Sequence, residues 1–498
     1  MRRWPARKLL SSIALAFLAP AALAAEKGFQ YSPDARLAYE QTISLRLKEA
    51  GIAIQRMKQQ EPENLIVLHL ENYVDFFRLY ISENEALYGQ LKKNEEARIR
   101  QIQEGDPRSP YFLYLQADIR LQWSLLKFHF GDYLSAFLDI SKSYKLLRRN
   151  QELFPAFLPN LKNMGILHAL AGTIPDNYRW GARLLTGMTG TVPQGKAELE
   201  KVLRAARDQP FLFEEETLLL YTFVLLNLSN EPEKAWKTVS QAGLQPAQNP
   251  VHCYLIASVA MQSARNEEAL SALSKQPLDP NLLPFPHLQF MHGTAKLRKL
   301  DLEAARHFQS FLNQYKGRNG IKEAYQRLAW CAFLKGDLQG YQRHLRQALS
   351  QGAAETGADK NALKEAQSLR PSPEALLKAR LLFDGGYFQK AFQLMQEQDI
   401  REYQSLEHRL EYHYRMGRIL HGLKRYSEAI ASYQKSIALG KNAPFYFACN
   451  AALQTGMIYE TLGKPEQAKE FFRLCLSMNP DDYRTSLHQA AKAGLSRM

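Results

Sequence analysis

The sequence is poor in cysteine, with four in 498 residues, and none falls in a CxxC pair or close to a histidine cluster. That excludes a disulfide-built scaffold and argues against a structural zinc site or a dithiol redox centre. After residue 24 there is no run of about 18 uninterrupted apolar residues, so no later segment reads as a membrane-spanning helix. Low-complexity tracts are missing, and 46% hydrophobic with 23% charged residues excludes a disordered or fibrous chain. Alternating Val/Ile/Thr runs are scarce. Apolar residues recur instead at i, i+3, i+4 and i+7, which predicts an all-α fold. The 23 prolines lie mainly between apolar segments, as at Pro107 and Pro110, Pro277 and Pro280, or Pro371 and Pro373, where they punctuate helices.

The excess of positive charge, 64 Lys and Arg against 50 Asp and Glu, is partly local. Residues 1–24 carry Arg2, Arg3, Arg7 and Lys8, then an apolar run from Leu9 to Leu18, then Ala22-Leu23-Ala24. This is the pattern of a secretory signal peptide cleaved near Ala24, and it predicts an exported, periplasmic protein. No cysteine follows the apolar run, so a lipid anchor is not expected. Loss of that segment leaves 60 basic residues against 50 acidic, interspersed and without a basic block. Nucleic acid is therefore not expected as a partner. The apolar stretch from Gly165 to Leu185, edged by Arg179 and Arg183, leaves membrane association open without indicating it.

Long helical chains with regular breaks call for a search for repeats. In residues 449–482, Gly456, Tyr459, Gly463, Ala468, Phe472, Cys475 and Pro480 follow at offsets of 3, 4, 5, 4, 3 and 5. This resembles the tetratricopeptide repeat (TPR), a 34-residue helix–turn–helix unit, with Ala452 where the family favours Trp. The preceding unit matches through Gly417, Ala429, Tyr433 and Ser436, and another through Ala379, Ala391 and Met395. The small residue of the second helix traces back through Gly340, Ala304, Ala269 and Ala235 to Ala197 and Ala136, with intervals that include 34, 35, 36 and 38 residues. The resemblance implies a right-handed superhelical array of antiparallel helix hairpins, an α-solenoid. The expected organisation is a signal peptide over 1–24, divergent repeats over 25–160, a Gly-rich irregular insertion and connector over 161–210, central repeats over 211–350, a linker or elbow over 351–373, and C-terminal repeats over 374–498.

By the same resemblance, the first helices of the last three units line a concave groove that binds a protein or peptide. Its candidate residues are Arg380, Phe383, Glu411, Tyr414, Arg418, His421, Asn450, Met457 and Glu460. They do not reproduce the Lys/Asn/Arg carboxylate clamp of some TPR domains. Cys449 and Cys475 occupy the first and twenty-seventh repeat positions, which an antiparallel hairpin brings together, so in an oxidising compartment they are a candidate disulfide. The Gly-rich stretch departs from the repeat, and Asp176, Asn177, Tyr178, Arg179 and Trp180 within it form a candidate special segment.

Catalytic or cofactor chemistry is not evident. Gly190 to Lys196 has phosphate-loop spacing, but Ala197 stands where a magnesium-binding hydroxyl is needed and no strand precedes it. His408, Glu411 and His413 are spaced wrongly for a helical zinc site, because five residues turn a helix through about 140° beyond a full circle. The expectation is a non-enzymatic scaffold or adaptor in the bacterial envelope, without metal or cofactor. The alternative is a glycan or small-molecule receptor that uses the segment around Tyr178, Arg179 and Trp180.

Overall fold

The computed structural model describes residues 27–174 and 187–498. The expected signal peptide and the segment Asp176, Asn177, Tyr178, Arg179 and Trp180 lie outside the described residues. The described chain is all-helical and builds a TPR-like α-solenoid; its extended pairing is limited to an isolated bridge between Gly28 and Asn64.

Most helices pair as antiparallel hairpins. Pro33–Ile43 packs on Leu47–Gln60, Pro110–His129 on Tyr133–Leu153, and Leu158–Ala171 on Val192–Asp208. The central units pair Pro250–Gln262 with Asn266–Ser274, His287–Arg298 with Ala304–Gln314, and Ile321–Leu334 with Leu338–Ser350. The last three pair Glu374–Asp384 with Phe388–Gln396, Leu406–Gly422 with Tyr426–Gly440, and Tyr446–Thr461 with Pro465–Ser477 before Arg484–Ser496 closes the stack.

A single backbone device sets the register. In eight hairpins a residue with positive φ stands two places before the second helix: Leu45, Gly131, Asn230, Ala264, Gly336, Gly386, Lys424 and Gly463. The next amide then reaches back to a carbonyl in the first helix, as from Arg46 to Gln41 (2.8 Å) or Lys464 to Tyr459 (2.9 Å), which closes the helix end. Five residues after seven of these positions comes a fully buried alanine, Ala50, Ala136, Ala235, Ala269, Ala391, Ala429 and Ala468; after Gly336 it is the buried Tyr341, one place beyond the Gly340 traced in the sequence. Each is the fourth residue of its helix, where the two helices of the hairpin approach closely.

The same register corrects Ala197 and adds a further unit. Ala197 is exposed; the fourth residue of Val192–Asp208 is the buried Gly195, which lies against Gly165 and Ala169 of the partner helix. The glycine of the phosphate-loop-like stretch is thus a helix-crossing residue, and Lys196 pairs with Glu231 at 2.5 Å. The hairpin with Ala50 is a repeat-like unit earlier than any traced in the sequence.

Within the stretch expected to be a linker, Gly357–Ser368 forms a helix started by the Thr356 hydroxyl and anchored by Asp359, which accepts from the Gly320 and Glu323 amides. The superhelix also touches itself. Leu283 donates its amide to Leu45 (2.8 Å), Arg46 pairs with Asp279 (2.8 Å), and Asn319 donates to Glu83 (3.0 Å), so the first helices dock on the central repeats.

The N-terminal core holds a buried polar network. The Asp118 carboxylate contacts His69 (2.9 Å), Gln122 (2.8 Å), Tyr73 (3.3 Å), Asn163 (2.6 Å) and the Lys162 ammonium (3.6 Å). Lys162 also meets Glu216 at 2.5 Å, and Glu216 accepts from Tyr39 at 2.6 Å. Five helices, from Pro33–Ile43 to Glu214–Phe223, are tied through this point.

Candidate functional site

The concave face of the last three hairpins is built by Glu374–Asp384, Leu406–Gly422 and Tyr446–Thr461, which lie side by side. Arg418 stands with its guanidinium 4.7 Å from the Phe383 ring centre and donates to the Tyr414 hydroxyl at 2.9 Å. Asn450 donates to the same hydroxyl at 2.8 Å. Phe383, Arg418, Tyr414 and Asn450 therefore form one continuous chain across three repeats. Tyr414 packs against Tyr446 and Phe447, which fixes its ring.

The other expected groove residues divide. Glu411 is held by Arg415, one helical turn on, whose Nε donates at 2.7 Å. Burial opposes the Arg415 cation, but Glu411 and Tyr446 keep it more basic than usual. Arg380 lies 5.1 Å from the Trp330 ring and 3.9 Å from Asp384. Met457 is half-buried against the hairpin core. Glu460 is taken by Arg497 of the closing helix, in two bonds of 2.6 and 2.7 Å. His421 packs edge-on to Tyr426 and Tyr433 at the base of the groove.

Sequence reasoning missed Trp330, Arg327 and Arg415. Arg415 follows Glu411 by four residues, a pairing signal that is present in the sequence. Trp330 and Arg327, stacked at 4.3 Å, come from a hairpin that the linker separates from the groove. Glu365 on the helix Gly357–Ser368 binds the Trp330 indole (2.8 Å), Gln326 (2.6 Å) and Tyr341 (3.2 Å), and so ties that helix to the central hairpin, while Arg380 over the Trp330 ring makes the contact across to the groove. The cavity among Trp330, Glu365, Arg380, Glu411 and Arg415 measures about 30 Å³, room for a water and not for an organic ligand.

Cys449 and Cys475, the candidate disulfide, face one another with sulfurs 3.6 Å apart and are free thiols in this structure. Among the described residues no group of three or more His, Cys, Asp or Glu is placed to hold a metal ion, and no helix is long and apolar enough to cross a membrane.

Burial, aided by the Arg418 cation, pushes the His421 imidazole down to about 4 from its ordinary 6.5. The folded state holds His421 neutral, so its contribution is present above pH 6.5 and is lost as pH falls towards 4. Replacement by Gln should flatten the fall of melting temperature over that window, and an NMR titration of the His421 ring should give a midpoint near 4. A midpoint at 6.5 or above would contradict the packing described.

Residues 409–481 match the tetratricopeptide repeat family. No curated protein matches the sequence. Among solved structures, the chain is similar to the P58(IPK) TPR domain at 14% identity, covering 85% of this chain and 98% of that one with a TM-score of 0.22. It is similar to the APC/C hetero-tetramer Cut9–Hcn1 at 13% identity, covering 94% and 96% with a TM-score of 0.26. The Naa15/Naa10 complex bound to HypK-THB matches at 13% identity, covering 94% and 66% with a TM-score of 0.25. By its architecture the protein is a helical-repeat solenoid. The hairpins within residues 409–481 are similar to tetratricopeptide repeats.

Proposed function

We propose that the protein is a non-enzymatic scaffold that holds an extended segment of a partner protein in the groove of its C-terminal repeats. The observation that carries this reading is the chain Phe383, Arg418, Tyr414 and Asn450, in which a guanidinium is oriented by a ring from the preceding repeat and by a hydroxyl of its own helix that Asn450 of the next repeat also holds. A stacked arginine beside aromatic rings presents hydrogen-bond donors at little entropic cost, which suits the carbonyls and carboxylates of a bound peptide. The setting we infer is the bacterial envelope, on the ground of the basic and apolar N-terminal sequence up to Ala24.

Crosslinking in intact cells, followed by recovery of the chain and mass spectrometry of what comes with it, tests both parts. A reproducible protein partner should be recovered, and Arg418→Ala should reduce its recovery about tenfold, the effect of losing one anchoring contact. The recovered chain should begin near residue 25. Undiminished recovery with Arg418→Ala would reject the groove, and an intact N-terminus on a cytosolic protein would reject the envelope setting.

A further inference from the structure

The hairpin Pro110–His129 and Tyr133–Leu153 exposes large apolar side chains in a way its interior packing does not require. Leu125 is 50% exposed, Phe128 42%, Tyr133 57%, Leu134 72% and Leu138 50%. They gather at the end of the hairpin around the turn at Gly131, and the Phe128 and Tyr133 rings contact each other at 5.9 Å across it. Soluble surfaces carry single exposed leucines without consequence, but a contiguous group of five marks an interaction site.

The same helix says what kind of surface meets this end. At 100° per residue, Leu134, Leu138, Lys142, Lys145 and Arg149 fall within a sector of about 80°. The apolar end is thus continued, along one face, by exposed cations, with Arg148 at its border. Lys142, Lys145 and Arg148 have no ion-pair partner among the described residues; Arg149 alone is matched, by Glu152 at 3.0 Å. An apolar tip followed by unpaired cations reproduces the layering of an anionic bilayer surface, acyl chains beneath a plane of phosphates. A hairpin seated obliquely buries its tip about 5–10 Å deep and leaves the lysines among the headgroups.

We propose that this hairpin end docks the protein on membranes rich in anionic phospholipid, as a peripheral contact separate from the peptide groove. The contact needs no spanning segment: the leucines enter the boundary region and the stripe Lys142, Lys145, Arg148 supplies the attraction.

The test is flotation of the full-length protein with vesicles of phosphatidylcholine alone or with about one third phosphatidylglycerol, where anionic vesicles should bind at least tenfold more tightly. Leu134→Ser with Leu138→Ser, and separately Lys142→Glu with Lys145→Glu, should each lower that affinity about tenfold or more. Leu278→Ser, at a residue 87% exposed elsewhere, should not change it, and neither should the groove variant Arg418→Ala. Since all altered side chains at the tip are exposed, the melting temperature should stay constant. Residues 1–26 are common to every variant, so differences report the hairpin alone. Absence of binding to anionic vesicles, or binding indifferent to both tip variants, overturns the proposal. A self-associated form lost with Leu134→Ser and Leu138→Ser, without vesicle binding, overturns it in favour of a second copy of the chain.

Discussion

Asp118→Ala should lower the melting temperature of the N-terminal helices by about 10 °C, the consequence of roughly 3–5 kcal/mol for breaking a buried charge pair in a unit of this size. The side chains of Asp118 and Lys162 are 5% and 1% exposed. Burial by itself would raise the Asp118 pKa, but Lys162 and His69 reverse this and hold the carboxylate well below its usual range. Lys162 is likewise held as a cation against its burial, by Asp118 and Glu216. Removing Asp118 leaves His69, Gln122 and Asn163 without their acceptor and Lys162 with Glu216 alone. The damage is mostly the desolvated groups left behind, not the worth of the pair itself. Accordingly, Asp118→Leu combined with Lys162→Met should recover part of the loss, and a double-mutant cycle by thermal melting measures that coupling. A drop of less than 2 °C for Asp118→Ala would mean that water or Glu216 already satisfies the network. Asp118 also fixes a pH dependence: its stabilisation is complete above the ordinary carboxylate pKa and is lost as pH falls below it.

Nothing in the sequence around Ala117-Asp118-Ile119-Arg120 distinguishes that carboxylate from the many that sit on helix surfaces, because all its partners but Gln122 come from two other helices, Ile66–Ser82 and Leu158–Ala171. The groove was more legible. Repeat register alone brought Phe383, Arg418, Tyr414 and Asn450 to one face, since neighbouring units place equivalent positions side by side. Register could not tell that Glu460 is occupied by Arg497, a residue beyond the last repeat, nor that Trp330 joins the groove's edge across a helix that composition made look like a linker. The repeats themselves were legible where glycine marks the turn, as at Gly463. The unit at Leu45 went unread, because a side chain that disfavours the left-handed conformation by about 1 kcal/mol gives no local signal; Asn230, Ala264 and Lys424 adopt the same conformation in units that the alanine alone made legible. Packing of the hairpin, through the buried alanine five residues on, imposes that conformation instead.

The crossing of Leu158–Ala171 with Val192–Asp208 supplies a second large effect, because at Gly195 the approach is backbone to backbone. A methyl group there would lie 2.1 Å from the Gly165 carbonyl oxygen and 2.5 Å from the Ala169 nitrogen. Neither atom can turn aside as a side chain can, so the helices must separate. At Gly417 and Gly456 the added methyl would meet the rings of Tyr433 and Phe472 at 2.5 and 2.6 Å, where side-chain adjustment is available. Alanine is favoured over glycine within a helix by about 1 kcal/mol, which offsets only part of an overpacking cost that reaches about 3 kcal/mol or more. Gly195→Ala should therefore destabilise the fold by about 2 kcal/mol or more, with loss of the packing of Leu199 and Ala169 in the adjoining core. The neighbouring Ala197 is exposed, and Ala197→Gly should cost only about 1 kcal/mol of helix propensity. Chemical denaturation of the two variants, compared with the parent chain, separates the alternatives. Were Ala197 the packed residue of this repeat, the Gly195 substitution would be neutral or stabilising. The larger loss at Gly195 follows only if the fourth helical residue carries the contact between helices here, as it does in the seven alanine-marked hairpins.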